Sequence, residues 1–202
     1  MYFQYSFIGL QLLAFFIAVF RLKKYKSQFL YLLTALLLVT SINELIGLYH
    51  VFVKKTGGQI YHLIYAFFQF NIIAIMYFKL MKDKKSQKVI LFLMVLFIVF
   101  FGTVFFKTSS FIYLIIFGAL NTSLYVFLYL RELLLSNEVL NYKRMLPFWV
   151  SVGFIAFYLP SIPFFSLIKH MKDRGLFFIL YILIALMNLF IIYGLICSKK
   201  RI

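Results

Sequence analysis

The chain has 202 residues, 65% of them hydrophobic and 13% charged, against about 45–50% apolar and about 25% charged in soluble domains. So few charges cannot cover a water-facing surface, and one cysteine, Cys197, cannot staple a secreted disulfide scaffold. Disorder and collagen fall to the same apolar excess, which leaves an integral membrane protein. Twenty-one Lys and Arg against five Asp and Glu would suggest nucleic acid in a soluble chain. Here the cations lie between long apolar runs, where they set topology and meet anionic lipid headgroups.

A helix needs about 20 mainly apolar residues to cross about 30 Å of hydrocarbon. Seven stretches meet this length in turn. The first, Tyr2–Phe20, has no basic segment before it and no small-x-small site after it, so it is expected to stay uncleaved. The second, Phe29–Val53, carries Glu44, the one acid clearly inside a span. The third, Ile60–Met81, opens as IYHLIYAFFQFN and holds His62, Tyr65, Gln69 and Asn71. The fourth, Val89–Phe106, is the plainest. The fifth, Phe111–Leu130, has Asn121, Thr122 and Ser123 near mid-depth. The sixth, Pro147–Ile168, opens on a first-turn proline with Trp149 at the interface, and its Pro160 and Pro163 are expected to kink or break its outer end. The seventh, Leu176–Ser198, has Asn188 at mid-depth.

In hydrocarbon the backbone must satisfy its own hydrogen bonds, and period-two alternation is absent, so the spans are helices rather than barrel strands. The expected architecture is all-α: one seven-helix transmembrane bundle over residues 1–202, with sequential helices as antiparallel neighbours. Orientation follows from the cations. The first, third and fifth connections and the tail hold fifteen Lys and Arg, and the remaining connections hold Lys54, Lys55, Lys107, Lys169, Lys172 and Arg174. The richer side is expected to be cytoplasmic, with the N-terminus outside and the C-terminus inside.

Polarity is costly in hydrocarbon, so function concentrates at polar positions there. Glu44 sits roughly 13 Å of helix rise from the outer end of its span. Tyr65, Gln69, Asn121 and Asn188 fall at comparable depths on other spans, and these five are expected to face one another in an outward-leaning cavity. A lone carboxyl in hydrocarbon favours its neutral form, unless His50 or His62 pairs with it. The competing reading of the Asn and Tyr set is plain helix–helix contact, at about 0.6 kcal/mol each. On the cytoplasmic side Lys82, Lys84, Lys85, Arg131, Lys143 and Arg144 form a candidate docking surface. The stretch Arg131–Arg144, with Leu133, Leu134, Leu135, Val139 and Leu140, reads either as a helical extension lying on the headgroups or as part of that surface.

HExxH, GxSxG and Walker patterns are absent, and two histidines without a firm third ligand make a poor zinc site. No enzyme, metal or cofactor is expected. A small ion or proton-coupled transporter stays open, although no internal repeat supports it. So does a sensor that reads a small ligand. Abundant aromatic, lipid-facing surface permits homo-oligomers.

Seven spans with an outside N-terminus resemble a microbial rhodopsin in topology. Such proteins hold retinal on a lysine in the middle of span seven, where this chain has Ala185, Met187 and Asn188, so no covalent chromophore is expected. The ELIGLYH run, the following IYHLIYAFFQF and the PFW opening of span six resemble small bacterial multi-span proteins, some similar to the accessory membrane proteins of type VI-B CRISPR systems. That resemblance implies a non-enzymatic, multi-pass protein of the bacterial inner membrane that modulates RNA-guided antiviral defence or acts as its membrane effector. The basic face would then meet a cytoplasmic protein or ribonucleoprotein.

Overall fold

The computed structural model describes residues 2–50, 59–106, 111–136, 142–167 and 177–198. They form seven helices: α1 (Tyr2–Lys24), α2 (Gln28–Tyr49), α3 (Gln59–Leu80), α4 (Lys84–Phe106), α5 (Phe111–Leu134), α6 (Leu146–Leu167) and α7 (Phe177–Cys197). Six of them, α2 to α7, are long and apolar enough to cross a membrane. The chain is thus a multi-pass helical membrane protein.

Each helix packs on its successor, and α7 returns to α1 to close a ring. Contact between α3 and α5 pinches that ring and leaves α4 on its outside. Leu91, Phe92, Val95 and Val99 of α4 are accordingly exposed, as suits a lipid-facing helix. The interior is filled by large side chains such as Leu33, Ile73, Met76, Tyr77, Leu146 and Ile191. Two glycines bring α6 and α7 together. A Cβ at Gly194 would lie 2.8 Å from the Trp149 Cβ, and one at Gly153 would lie 3.0 Å from the Met187 carbonyl oxygen.

Hydroxyl and amide side chains solve the hydrogen-bond problem of hydrocarbon by bonding back to their own helix. Thr34 donates to the Leu30 carbonyl, Ser41 to Leu37, Thr122 to Gly118 and Ser123 to Ala119. Ser151 donates to the Pro147 carbonyl at 2.7 Å and also lies 2.7 Å from the Tyr77 hydroxyl. Its single hydrogen is committed to Pro147, so Tyr77 is the donor of the second bond.

Helix ends differ from the apolar runs because polar residues can continue a helix past the hydrocarbon. The fourth helix starts at Lys84 rather than Val89, since Asp83 caps it. Asp83 accepts the Lys85 and Ser86 backbone N–H groups and the Ser86 hydroxyl, an anion on the positive end of a helix. Those bonds hold its carboxyl below the usual aspartate range. The fifth helix runs on to Leu134, with Leu133 buried. Glu132, in its last turn, accepts the Lys82 backbone N–H at 2.8 Å. The stretch expected to lie on headgroups from Arg131 therefore begins as a bundle helix. Its Val139 and Leu140 lie outside the described residues, as do Val51 to Val53 of span two and the cations Lys54, Lys55, Lys107, Lys169, Lys172 and Arg174. The two prolines do not break α6, which continues through Pro160 and Pro163 to Leu167. Packing on α5 and α7 holds it, and Ser161 and Ser166 donate to the Tyr158 and Ile162 carbonyls in that segment.

Candidate functional site

A cavity of about 440 Å³ lies inside the ring, lined by every helix except α4. It runs from Phe154, Met187 and Ile191 in the middle of the bundle to His62, Phe111, Phe165 and Phe177, which mark the ends of α3, α5, α6 and α7 on one side. Its walls are mainly apolar and aromatic, with polar groups at a few points. That is the usual make-up of a small-molecule site, and the volume falls in the common range of about 300–1,000 Å³.

The second helix supplies Thr40, Asn43 and Glu44, which successive turns place on the cavity side. The third supplies His62, Tyr65 and Gln69. The Gln69 amide donates to the Tyr158 hydroxyl of α6 at 2.7 Å, tying two walls together. The seventh supplies Asn188, whose amide nitrogen donates to the Ile184 carbonyl at 2.9 Å. The first helix adds Gln11 and the sixth Ser161.

Three of these side chains are not satisfied by protein. The Gln11 Nε2, the Asn43 Oδ1 and the Asn188 Oδ1 are buried without a hydrogen-bond partner, and their residues are at most 8% exposed. An unpaired buried polar atom costs about 1–3 kcal/mol. All three belong to residues of the cavity wall, but the atoms themselves are covered and lie behind its open surface.

Four of the five residues expected to share a cavity do so: Glu44, Tyr65, Gln69 and Asn188. Asn121 does not. It packs instead beside Asn71, Phe97 and Tyr125 where α3, α4 and α5 meet. The ring of Phe70 stands between, seated over Gly118, and lines the cavity on its other side. Of the two histidines, His62 lines the cavity, whereas His50 stacks on Tyr61 with ring centroids 5.0 Å apart. Gln11, Asn43 and Tyr158 were not placed in the expected site. A lone amide in an apolar run, as in FIGLQLLAFF, was the available signal for Gln11.

At the opposite end Lys82, Lys84, Lys85, Arg131, Lys143 and Arg144 are all exposed. The Glu132 bond to the Lys82 backbone holds the α3–α4 turn against the end of α5. Arg21 ties the end of α1 to the last turn of α7 through the Ile196 carbonyl at 2.5 Å. Among the described residues, no group of three His, Cys, Asp or Glu side chains is placed to hold a metal. Compared with protein-family profiles, with curated proteins and with solved structures, the chain matches none of them.

Proposed function

We propose that this chain is a non-enzymatic, receptor-like membrane protein that binds a small molecule in its central cavity. The observation that carries the reading is the cavity itself: lined by six helices, of ligand size, and mainly apolar with polar side chains such as Glu44, His62 and Gln69 at a few points. In this reading α1 also crosses the bilayer, giving seven spans. Its last turn carries Arg21, Lys23 and Lys24, cations suited to a membrane surface. The cation-rich end faces the cytoplasm of a bacterial cell and the cavity opens outward. Ligand-dependent changes in the ring would reach a cytoplasmic partner at Lys82, Lys84, Lys85, Arg131, Lys143 and Arg144. An acidic protein or a ribonucleoprotein fits that face, which is where the accessory role in RNA-guided defence would act. A transport path is the weaker reading, because the cavity leads towards one end of the bundle only.

Filling the cavity tests the proposal. Ala66 lines it from α3 and is 3% exposed. In Ala66→Phe the added ring takes ligand space, and binding of an amphipathic probe such as phenylhexanol to the detergent-solubilised protein is expected to fall at least about tenfold, the factor for some 1.4 kcal/mol of lost contact. Equal thermal stabilisation of both proteins by the probe would place binding elsewhere.

A further inference from the structure

The lining of the cavity also speaks to the charge of what it takes. Glu44 is its one acidic side chain, and none of the described lining residues is a lysine or arginine. An anion entering there would meet that carboxyl group, with no lysine or arginine beside it among the described lining residues. The described exposed cations, Lys82, Lys84, Lys85, Arg131, Lys143 and Arg144 among them, sit at the far end of the bundle.

A further feature points the same way: Tyr65 lines the cavity together with Glu44, and aromatic faces attract organic cations. The rest of the wall is built for an apolar body, with Phe154, Phe157, Phe165 and Phe177 among its residues.

We infer that the cavity selects a protonated organic amine on an apolar body, with the ammonium group at Glu44 and the body among the phenylalanines. This inference rests on the reading of the cavity as a ligand site. A lone Glu44 favours its neutral form in hydrocarbon, and an ammonium is the charge partner that favours the ionised form and gains a charge-assisted hydrogen bond to it. A neutral alcohol of the same size fills the space without the ion pair. A carboxylate of the same size brings no charge partner for Glu44 and must itself be buried among apolar walls.

The test uses three probes that share one body: phenylhexylamine, phenylhexanol and phenylhexanoate. Each is titrated against the full chain in detergent micelles at neutral pH, with Ala66→Phe protein as the control for partition into the micelle. The amine is expected to bind about tenfold to a hundredfold more tightly than the alcohol, the factor for a hydrogen bond to a charged group. The carboxylate is expected to bind most weakly. Glu44→Gln should bring the amine down to the level of the alcohol measured on the same variant. Should that variant fold poorly, Glu44→Asp keeps the charge and should keep the preference, and the order of the three probes on the unaltered chain decides alone. If alcohol and amine bind equally well and both lose binding in Ala66→Phe, the cavity is a ligand site but the amine assignment is wrong. If none of the three binds, both the assignment and the ligand-site reading fall.

Discussion

Gly194→Val is expected to destabilise the bundle by about 2–3 kcal/mol, the upper part of the range for overpacking a closed core. The reason is where the new atoms go. A Cβ at this position would lie 2.8 Å from the Trp149 Cβ and 3.2 Å from a Leu146 methyl. The Trp149 Cβ is one bond from the α6 backbone, so it cannot swing aside as a side-chain tip would. Its indole is held as well, stacked on Phe190 and edge-on to Tyr193 at 4.5 Å. Relief requires α6 to move off α7. In lipid that contact is held by close packing, because the tails outside are as apolar as the side chains within. Gly102 is the control: nothing lies within 4 Å of a Cβ there, and Gly102→Ala should be neutral or gain up to about 1 kcal/mol of helix propensity. Thermal unfolding of the two variants in one detergent gives the comparison. Equal loss at both positions would mean that glycine matters for the backbone and not for the α6–α7 approach.

Tyr77→Ala is expected to cost about 2–3 kcal/mol and Tyr77→Phe about 1 kcal/mol. Tyr77 is fully buried, with no exposed surface, between Tyr129 and Phe154. For a membrane helix the transfer part of a large-to-small cost shrinks, because the unfolded reference is itself in hydrocarbon. The cavity part remains: roughly 100 Å³ of lost ring at about 24 cal/mol per Å³ gives about 2.4 kcal/mol. The phenylalanine variant removes only the hydroxyl. Ser151 keeps its bond to the Pro147 carbonyl, so no buried donor is stranded, and the loss is that of one ordinary hydrogen bond. Were the two variants equally damaging, the Tyr77–Ser151 bond and not the ring would hold α3 against α6.

The contrast between Asn188 and Asn121 shows what could be read from the sequence. Both are amides at mid-depth in a span, and depth follows from counting residues at 1.5 Å each. The direction in which each points does not. In water a helix advertises its inner face by hydrophobic periodicity, but in lipid the outward face is apolar too and the stripe vanishes. Glu44, Tyr65, Gln69 and Asn188 could be grouped by depth and cost of burial, and they line one cavity. Asn121 fitted by depth alone and faces the α3–α4 contact. Gln11 carried the same signal as Asn188. The helix ends show a second blind spot. An apolar run marks hydrocarbon, whereas α4 begins where Asp83 can cap it, within a lysine-rich turn.

Chemical access to Glu44 tests the account most directly. With Cys197→Ser removing the native thiol and Glu44→Cys supplying a single one in the cavity, intact cells are exposed to a membrane-impermeant cationic thiol reagent. The account predicts labelling from outside the cell, slowed when phenylhexanol, which needs no carboxyl at position 44, fills the cavity. Labelling that appears only after the membrane is opened would turn the cavity to the other face, and no labelling under either condition would mean that position 44 lines no reachable cavity at all.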